Sequence, residues 1–437
     1  MINIKKYLIG FVITALSLPT IVLNSKCYAQ TNQCLIVSDI HLNPFYVYDS
    51  KTKSIKISVS LMKKLGKALV EQWDKILAQY ATKDDIKSIW SGYDSNCALL
   101  QSALANMQNK LPKPAFIVIA GDFIWHGKVK SLNMGGYDTT IVKADTLKAK
   151  TIQYIAKLFG KTFPGIPIIP ALGNNDSDNG DYTMPSAAFL SSFAKSWKNN
   201  NSQMLKSTTF ANAGYYTYVL NNKLKFAVLS TTLFSADKNA PKNSPNANKM
   251  SSWINATLKN PGSGLWILSH IPPGDQMQTT YSDSLINTVV KNAKNLNYYI
   301  AGHTHFNDFR VICDKSEKKA YYFIRVVPSI GTNHGNNPSF EIADIDANYQ
   351  ITKETTYYLN LQKLTHHIKP DSICWNPGYS MNTVIPPPTT ATAILAFIKA
   401  NRKNPPLSYA NFHNIGATLP NEDLKKELKK DTLHYKH

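Results

Sequence analysis

The stretch YIAGHTHFND, residues 299–308, closes a short apolar run with two histidines two positions apart. In an extended segment residues i and i+2 point to the same side, so His303 and His305 can reach one point in space. That suits a shared metal cluster. Two solvated loop histidines give the same spacing, and the rest of the chain has to decide between the readings.

Similar apolar runs recur: CLIVSD (34–39), AFIVIAGD (115–122), IPIIPALGN (166–174), KFAVLST (225–231) and LWILSH (265–270). Each is nearly continuous in branched and aromatic residues, as in strands buried on both faces. Helical patterns at 59–80, 97–109, 144–159, 185–197, 248–258 and 281–295 fall between them, and this alternation predicts a layered α/β domain. More strands are expected at 309–313, 321–327, 338–345 and 351–359. After Leu361 the texture changes: 376–390 is rich in proline and polar residues, while 391–401 and 421–431 look helical. The expected organisation is a catalytic domain over 30–360 and a C-terminal extension over 361–437 packed on it.

Residues 1–29 read as a secretory signal peptide. Lys5 and Lys6 open it, the apolar run Tyr7–Leu23 is broken by Pro19, and Cys27-Tyr28-Ala29 offers a small-x-small cleavage site after Ala29. Secretion or a periplasmic location is therefore expected, without a stable membrane anchor. Cys34, Cys97, Cys313 and Cys374 remain beyond the cut, an even number that predicts two disulfides among three possible pairings. The 437-residue chain carries a formal charge of +20. Such a balance suits an anionic partner. It does not choose among a small anionic substrate, nucleic acid and an acidic surface, because no Lys/Arg run longer than two or three residues marks a dedicated patch. The expected partner is a small anionic substrate, with no nucleic-acid partner and a monomeric state.

Polar residues fall at the strand ends. Asp39 and His41 close the first run, Asp122 the second, Asn174 the third, His270 the fifth, and His303 with His305 the sixth. The crevice beyond the carboxyl ends of strands is the usual ligand site of an open α/β sheet. Histidines with carboxylate and amide oxygens suit zinc, iron or manganese better than calcium or magnesium. Two divalent ions about 3.5–4 Å apart can clamp a phosphoryl oxygen and lower the pKa of water to about 7. A carboxylate such as Asp122 can bridge them, with His303 and His305 serving one each.

At these residues the chain resembles the calcineurin-like metallophosphoesterases, whose pattern runs D-x-H, G-D, G-N-[HN], H and G-H-x-H. SDIH (38–41), AGDFIWH (120–126), LGNND (172–176), SHIPPG (269–274) and AGHTH (301–305) match it in order. GDFIWH, SHIPPG, GHTHFNDF and PSIGTNHGNNPSFEI (328–342) are similar, more narrowly, to the acid sphingomyelinase-like phosphodiesterases, a branch with endopolyphosphatase-type members. The resemblance implies a four-layer α/β/β/α sandwich with a partly helical C-terminal extension. It implies one divalent metal, most simply zinc, on Asp39, His41, Asp122 and His305, and a second on Asp122, Asn174, His270 and His303. It also implies a phosphoesterase that uses a metal-activated water on phosphodiesters or phosphoanhydrides.

Two departures bear on that activity. Only residues 30–38 stand between the expected cut and Asp39, too few for the saposin module of the sphingomyelinase itself. The branch commonly has histidine where this chain has Asn175, and a neutral amide cannot act as an acid. His126 is then the remaining candidate proton donor. A sphingomyelinase-like phospholipase and a catalytically impaired metal-bearing binding protein are the alternative readings.

Overall fold

The computed structural model describes residues 32–49, 51–52, 54–81, 94–126, 144–364, 373–417 and 421–436. The expected signal peptide lies outside them. The strands, in chain order, are β1 Gln33–Val37, β2 Tyr46–Asp49, β3 Ser54–Ile57, β4 Ile117–Ile119, β5 Ile168–Pro170, β6 Tyr216–Val219, β7 Leu224–Val228, β8 Gly264–Leu268, β9 Tyr298–Ala301, β10 Asp308–Cys313, β11 Ala320–Val326, β12 Ser339–Ile345, β13 Ile351–Tyr358, β14 Asn376–Pro377 and β15 Thr432–His434. They form two large sheets, ordered β14-β13-β12-β1-β4-β5 and β15-β10-β11-β9-β8-β7-β6, beside the small β2-β3 hairpin. In the first, β1, β4 and β5 run parallel; in the second, β7, β8 and β9 do.

The near-continuous apolar runs serve a second sheet covered on both faces. Because side chains alternate along a strand, Phe226, Val228, Trp266, Leu268, Tyr298 and Ile300 join the core of the first sheet. Their neighbours Ala227, Leu265, Ile267, Tyr299 and Ala301 join a separate core with the helices Pro245–Lys259 and Thr279–Lys291. Phe116 meets Phe226 and Trp266 edge-on across the sheets, with centroids 5.1 and 5.4 Å apart. Helices Cys97–Lys110 and Ala144–Thr162 pack on the first sheet through Leu100, Met107, Ile155 and Phe159, which completes the α/β/β/α sandwich. The residues after 372 add helices Ala391–Asn401, Leu407–His413 and Asn421–Lys430, the first two packing on Phe309. They also give each sheet an edge strand, β14 on β13 and β15 on β10.

Some expectations are corrected. The helix read over 59–80 breaks at Ala68, where the backbone turns extended. Trp73 Nε1 donates to Leu65 O at 3.1 Å, and Lys150 Nζ donates to the carbonyls of Gly66 and Ala68 at 2.6 and 2.8 Å, which satisfies the helix end without continuing it. The helix Leu407–His413 goes unread in the sequence because Pro405-Pro406 marks a loop. The expected disulfides are absent: none joins Cys34, Cys313 or Cys374 to another described residue. Cys34 is sealed in β1, Cys313 lies on the other sheet and Cys374 is exposed, so the backbone keeps these thiols apart. Burial pushes the Cys34 thiol far up and that of Cys313 to about 11.

One buried ionic cluster pins the two sheets together. Arg325 on β11 reaches Glu341 on β12 and Glu354 on β13, the latter through Nε at 3.1 Å, and donates to Asp308 O at 2.8 Å. Arg325 is fully buried, and burial pushes the Glu341 carboxyl up to about 7 despite the guanidinium beside it. Removing the cation alone strands two buried carboxylates. Arg325→Leu is therefore expected to cost about 3–5 kcal/mol, read as a lowered urea midpoint, with much of it recovered when Glu341 and Glu354 are made apolar as well. An unshifted midpoint for Arg325→Leu would show that the cluster does not hold the sheets.

Candidate metal centre

The loops that follow β1, β4, β5, β8 and β9 converge on one buried point. Five of the residues they carry adopt left-handed backbone: Asp39 (φ 47°), His41 (φ 44°), Asp122 (φ 54°), His303 (φ 78°) and His305 (φ 65°). Such conformations cost a non-glycine residue about 1–3 kcal/mol each and persist only where surrounding bonds over-determine them. Here Asp39 N donates to Gly121 O at 3.0 Å, His41 N to Asp122 O at 2.9 Å and Gly302 N to His270 O at 2.9 Å. The extended geometry expected for His303 and His305 is thus corrected: the turn after β9, not strand alternation, aims both rings. Close approach also demands glycine, since a Cβ on Gly302 would collide with Ser38 and Asp39, and one on Gly173 with Asp122.

Asp39, His41, Asp122, Asn174, His270 and His305 are buried, and His303 is half-buried. Two clusters share one carboxylate. On one side His41 Nε2 lies 3.0 Å from His305 Nε2 and 3.6 Å from Asp39 Oδ1, which is itself 3.5 Å from His305 Nε2. On the other, His270 Nε2 lies 3.2 Å from His303 Nδ1 and 3.0 Å from Asn174 Oδ1. Asp122 Oδ2 stands between them, 3.4 Å from His41 Nε2 and 3.2 Å from His270 Nε2.

These contacts fit cations. His41 Nδ1 donates to Ile124 O at 3.1 Å and His270 Nδ1 to Ala120 O at 2.7 Å, which turns an Nε2 lone pair inward on each ring. Lone pairs facing at 3.0–3.2 Å repel unless a proton or a metal ion lies between them. Asp39 Oδ2 accepts from Ser38 Oγ and His303 N, while the buried Oδ1 has no hydrogen-bond partner and faces the cluster. Two of the potential metal-holding groups are Asp39-His41-Asp122 and Asp122-His270-His303. Charge tells the same story. Burial pulls His41 and His270 down, yet Asp122 and Asp39 outweigh it and push them up to about 9 and about 10. Burial holds His303 down at about 3 and pulls His305 well below the usual imidazole range. The carboxylates thus favour positive charge on their neighbours, which protons on His41 and His270 or bound cations would supply.

The two other predicted residues differ in their surroundings. Asn175 is buried and donates to Asp122 twice, from its backbone N to Oδ1 and from Nδ2 to Oδ2, both at 2.9 Å. It orients the shared carboxylate. His126 keeps 39% of its side chain exposed, and its ring lies flat on that of His41, centroids 3.8 Å apart at 21°.

Several residues at the site escaped the sequence reading. Asp176 Oδ2 accepts from the backbone N–H groups of Asp122 (2.9 Å) and Gly173 (2.8 Å), and Oδ1 from those of Phe123 (2.9 Å) and Ile124 (3.3 Å). Its only signal was its place directly after Gly-Asn-Asn. Asp181 accepts from Asn174 Nδ2 at 2.8 Å, which aims the amide oxygen of Asn174 at His270. Tyr182, readable as core, stands edge-on to His303 with centroids 6.1 Å apart. His334, in the GTNHG stretch, does the same to His305 at 4.5 Å.

Residues 33–307 match the calcineurin-like phosphoesterase family, and the chain belongs to it. It is 27% identical over 235 residues to the sphingomyelinase phosphodiesterase C of Dictyostelium discoideum, covering 51% of this chain and 49% of that protein. To the cyclic GMP-AMP phosphodiesterase SMPDL3A of Homo sapiens it is 25% identical over 306 residues, covering 65% and 64%. To the acid sphingomyelinase-like phosphodiesterase 3b of Mus musculus it is 22% identical over 362 residues, covering 77% and 72%. The chain thus spans about half of the first relative's length and under two thirds of the second's. The family's fold implies divalent metals, and the Asp and His groups above are candidates to hold them.

Asp122 touches both clusters, whereas His41 belongs to the Asp39–His305 side. Asp122→Ala is expected to lower metal content at both positions and His41→Ala mainly at one, measured by elemental analysis of the purified variants. Two metals per chain retained in Asp122→Ala would remove Asp122 as the bridge.

Proposed function

We propose that the protein is a secreted, dinuclear metal-dependent phosphoesterase that hydrolyses phosphodiester or phosphoanhydride bonds of small anionic substrates, nucleotide derivatives or polyphosphate. The observation that carries this reading is Asp122 Oδ2 standing within 3.4 Å of His41 Nε2 and 3.2 Å of His270 Nε2. One ion would sit on Asp39, His41, Asp122 and His305, the other on Asp122, Asn174, His270 and His303. When bound, divalent ions such as zinc, iron or manganese supply charge neutralisation at the phosphoryl oxygens and an acidified water.

The chain's own residues do the rest. Asn175 and Asp176 hold the Asp122 carboxylate and its backbone in place. As a water oxygen bonds to phosphorus, giving up a proton, and the P–O bond to the leaving group breaks, that bond's electron pair goes to the departing oxygen and protonated His126 would hand that oxygen a proton. Asn175 cannot do so, being an amide already committed to Asp122. No helix among the described residues is long and apolar enough to cross a membrane.

Purified protein with each metal restored in turn tests the reading on a phosphate monoester, a phosphodiester, a nucleoside triphosphate, CDP-choline, a cyclic dinucleotide, polyphosphate and sphingomyelin. The expected result is turnover of a phosphodiester or phosphoanhydride, lost on chelation and regained with metal. Sphingomyelin turned over fastest would favour the phospholipase reading suggested by one relative's name. A metal-loaded protein inert to the whole panel would favour a binding role.

The proton donor is tested separately. His126→Ala is expected to lower kcat about 10²–10⁴-fold on a diester with a poor leaving group, far less on a p-nitrophenyl ester, with metal content unchanged. Equal losses on both would assign His126 to binding.

A further inference from the structure

We infer that Asp94 is the positioning residue of His126, an inference that rests on reading His126 as the proton donor. Asp94 is only 4% exposed, yet its Oδ1 gathers three donors: His126 Nδ1 at 2.8 Å, His126 N at 3.3 Å and Asn333 Nδ2 at 2.7 Å. A carboxylate that accepts the Nδ1–H of an imidazole fixes both the ring plane and the tautomer, and leaves Nε2 for exchange with substrate. Stacking on His41 restrains the same ring across its face. Two perpendicular restraints thus define where Nε2 lies.

The carboxylate is itself rigidly mounted. Ser95, the next residue, donates from N to His41 O at 3.0 Å and from Oγ to Ile40 O at 2.5 Å, and accepts at its carbonyl from Asn43 N at 2.8 Å. Leu42 makes parallel bridges to both Ser95 and Ile124. The segment carrying Asp94 is therefore stitched between the loop of His41 and the loop of His126. Asn333 adds a tie to the GTNHG stretch, whose next residue, His334, stands edge-on to His305. Asp94 so links the donor histidine to the metal-facing rings without entering either ligand cluster.

A residue that only held these loops together would affect every substrate alike. Asp94 acting through His126 affects the chemistry that needs the proton. The test uses the metal-loaded full chain with Asp94→Asn, Asp94→Glu, His126→Ala and the Asp94→Asn/His126→Ala double variant. Asp94→Asn is expected to keep metal content and KM, and to lower kcat about 10²–10⁴-fold on a diester with a poor leaving group. The loss on a p-nitrophenyl ester is expected to stay within about tenfold. In the His126→Ala background the substitution is expected to cost nothing more, and Asp94→Glu, which keeps the acceptor, is expected to recover part of the rate. Additive losses in the double variant, equal losses on the two substrates, or lost metal would overturn the inference. A leaving-group-dependent loss in His126→Ala beside normal Asp94→Asn would reject Asp94 alone. No such dependence in His126→Ala would take the reading of His126, and Asp94 with it.

Discussion

The Asp176 carboxylate, buried and closed on four backbone N–H groups, is the constraint on which the site depends. It binds the turn after β4 to the turn after β5, so Asp122 and Asn174 are presented as one rigid piece. Asn175 then locks the Asp122 carboxylate from the same turn. Left-handed backbone at Asp122 would relax in a free loop; here the accepted hydrogen bonds offset the strain. Burial, with Asp122 beside it, pushes the Asp176 carboxyl up to about 7, so even this anchor feels the crowding of negative charge.

That crowding distinguishes the cluster around Asp122 from the buried ionic cluster around Arg325. Around Arg325 a guanidinium already faces two carboxylates, and its remaining donors meet backbone and Asn307 oxygens. Around Asp122 no Lys or Arg is among the clustered side chains, and the imidazole nitrogens face one another. The first cluster is complete as a structural element. The second would gain its balance from added cations, because buried histidines otherwise compete for protons.

The residues after 372 take part in holding the site. Asn307 N donates to His413 O at 3.0 Å and Asn307 Nδ2 to Tyr379 O at 2.7 Å, just beyond the turn that carries His303 and His305. Phe306 stacks on His413 with centroids 4.4 Å apart, and Asn337 Nδ2 donates to Ile415 O at 2.8 Å. The segment's own edge strands fasten it to both sheets. Its proline-rich texture gave no hint of this, because the bonds are made by backbone carbonyls that any sequence carries.

Apolar runs of strand length, five of six closed by Asp, Asn or His, were enough to read a layered α/β domain and to name Asp39, His41, Asp122, Asn174, His270, His303 and His305, while the four-layer sandwich was read from the family resemblance. Both signals are local: burial on two faces forces continuous apolar composition, and ligating chemistry forces residue type. The sequence could not show how those residues meet. The left-handed turns at Asp39, His41, Asp122, His303 and His305 exist only because neighbouring strand ends supply hydrogen bonds. Asp94 was invisible for the same reason, since it lies 32 positions from His126 and is brought to it by Ser95 pairing with the His41 loop. The thiols too were decided by the tertiary structure. Composition counted them as pairs, but strand placement set Cys34 and Cys313 in different sheets, and a disulfide forms only where the backbone brings two sulfurs together.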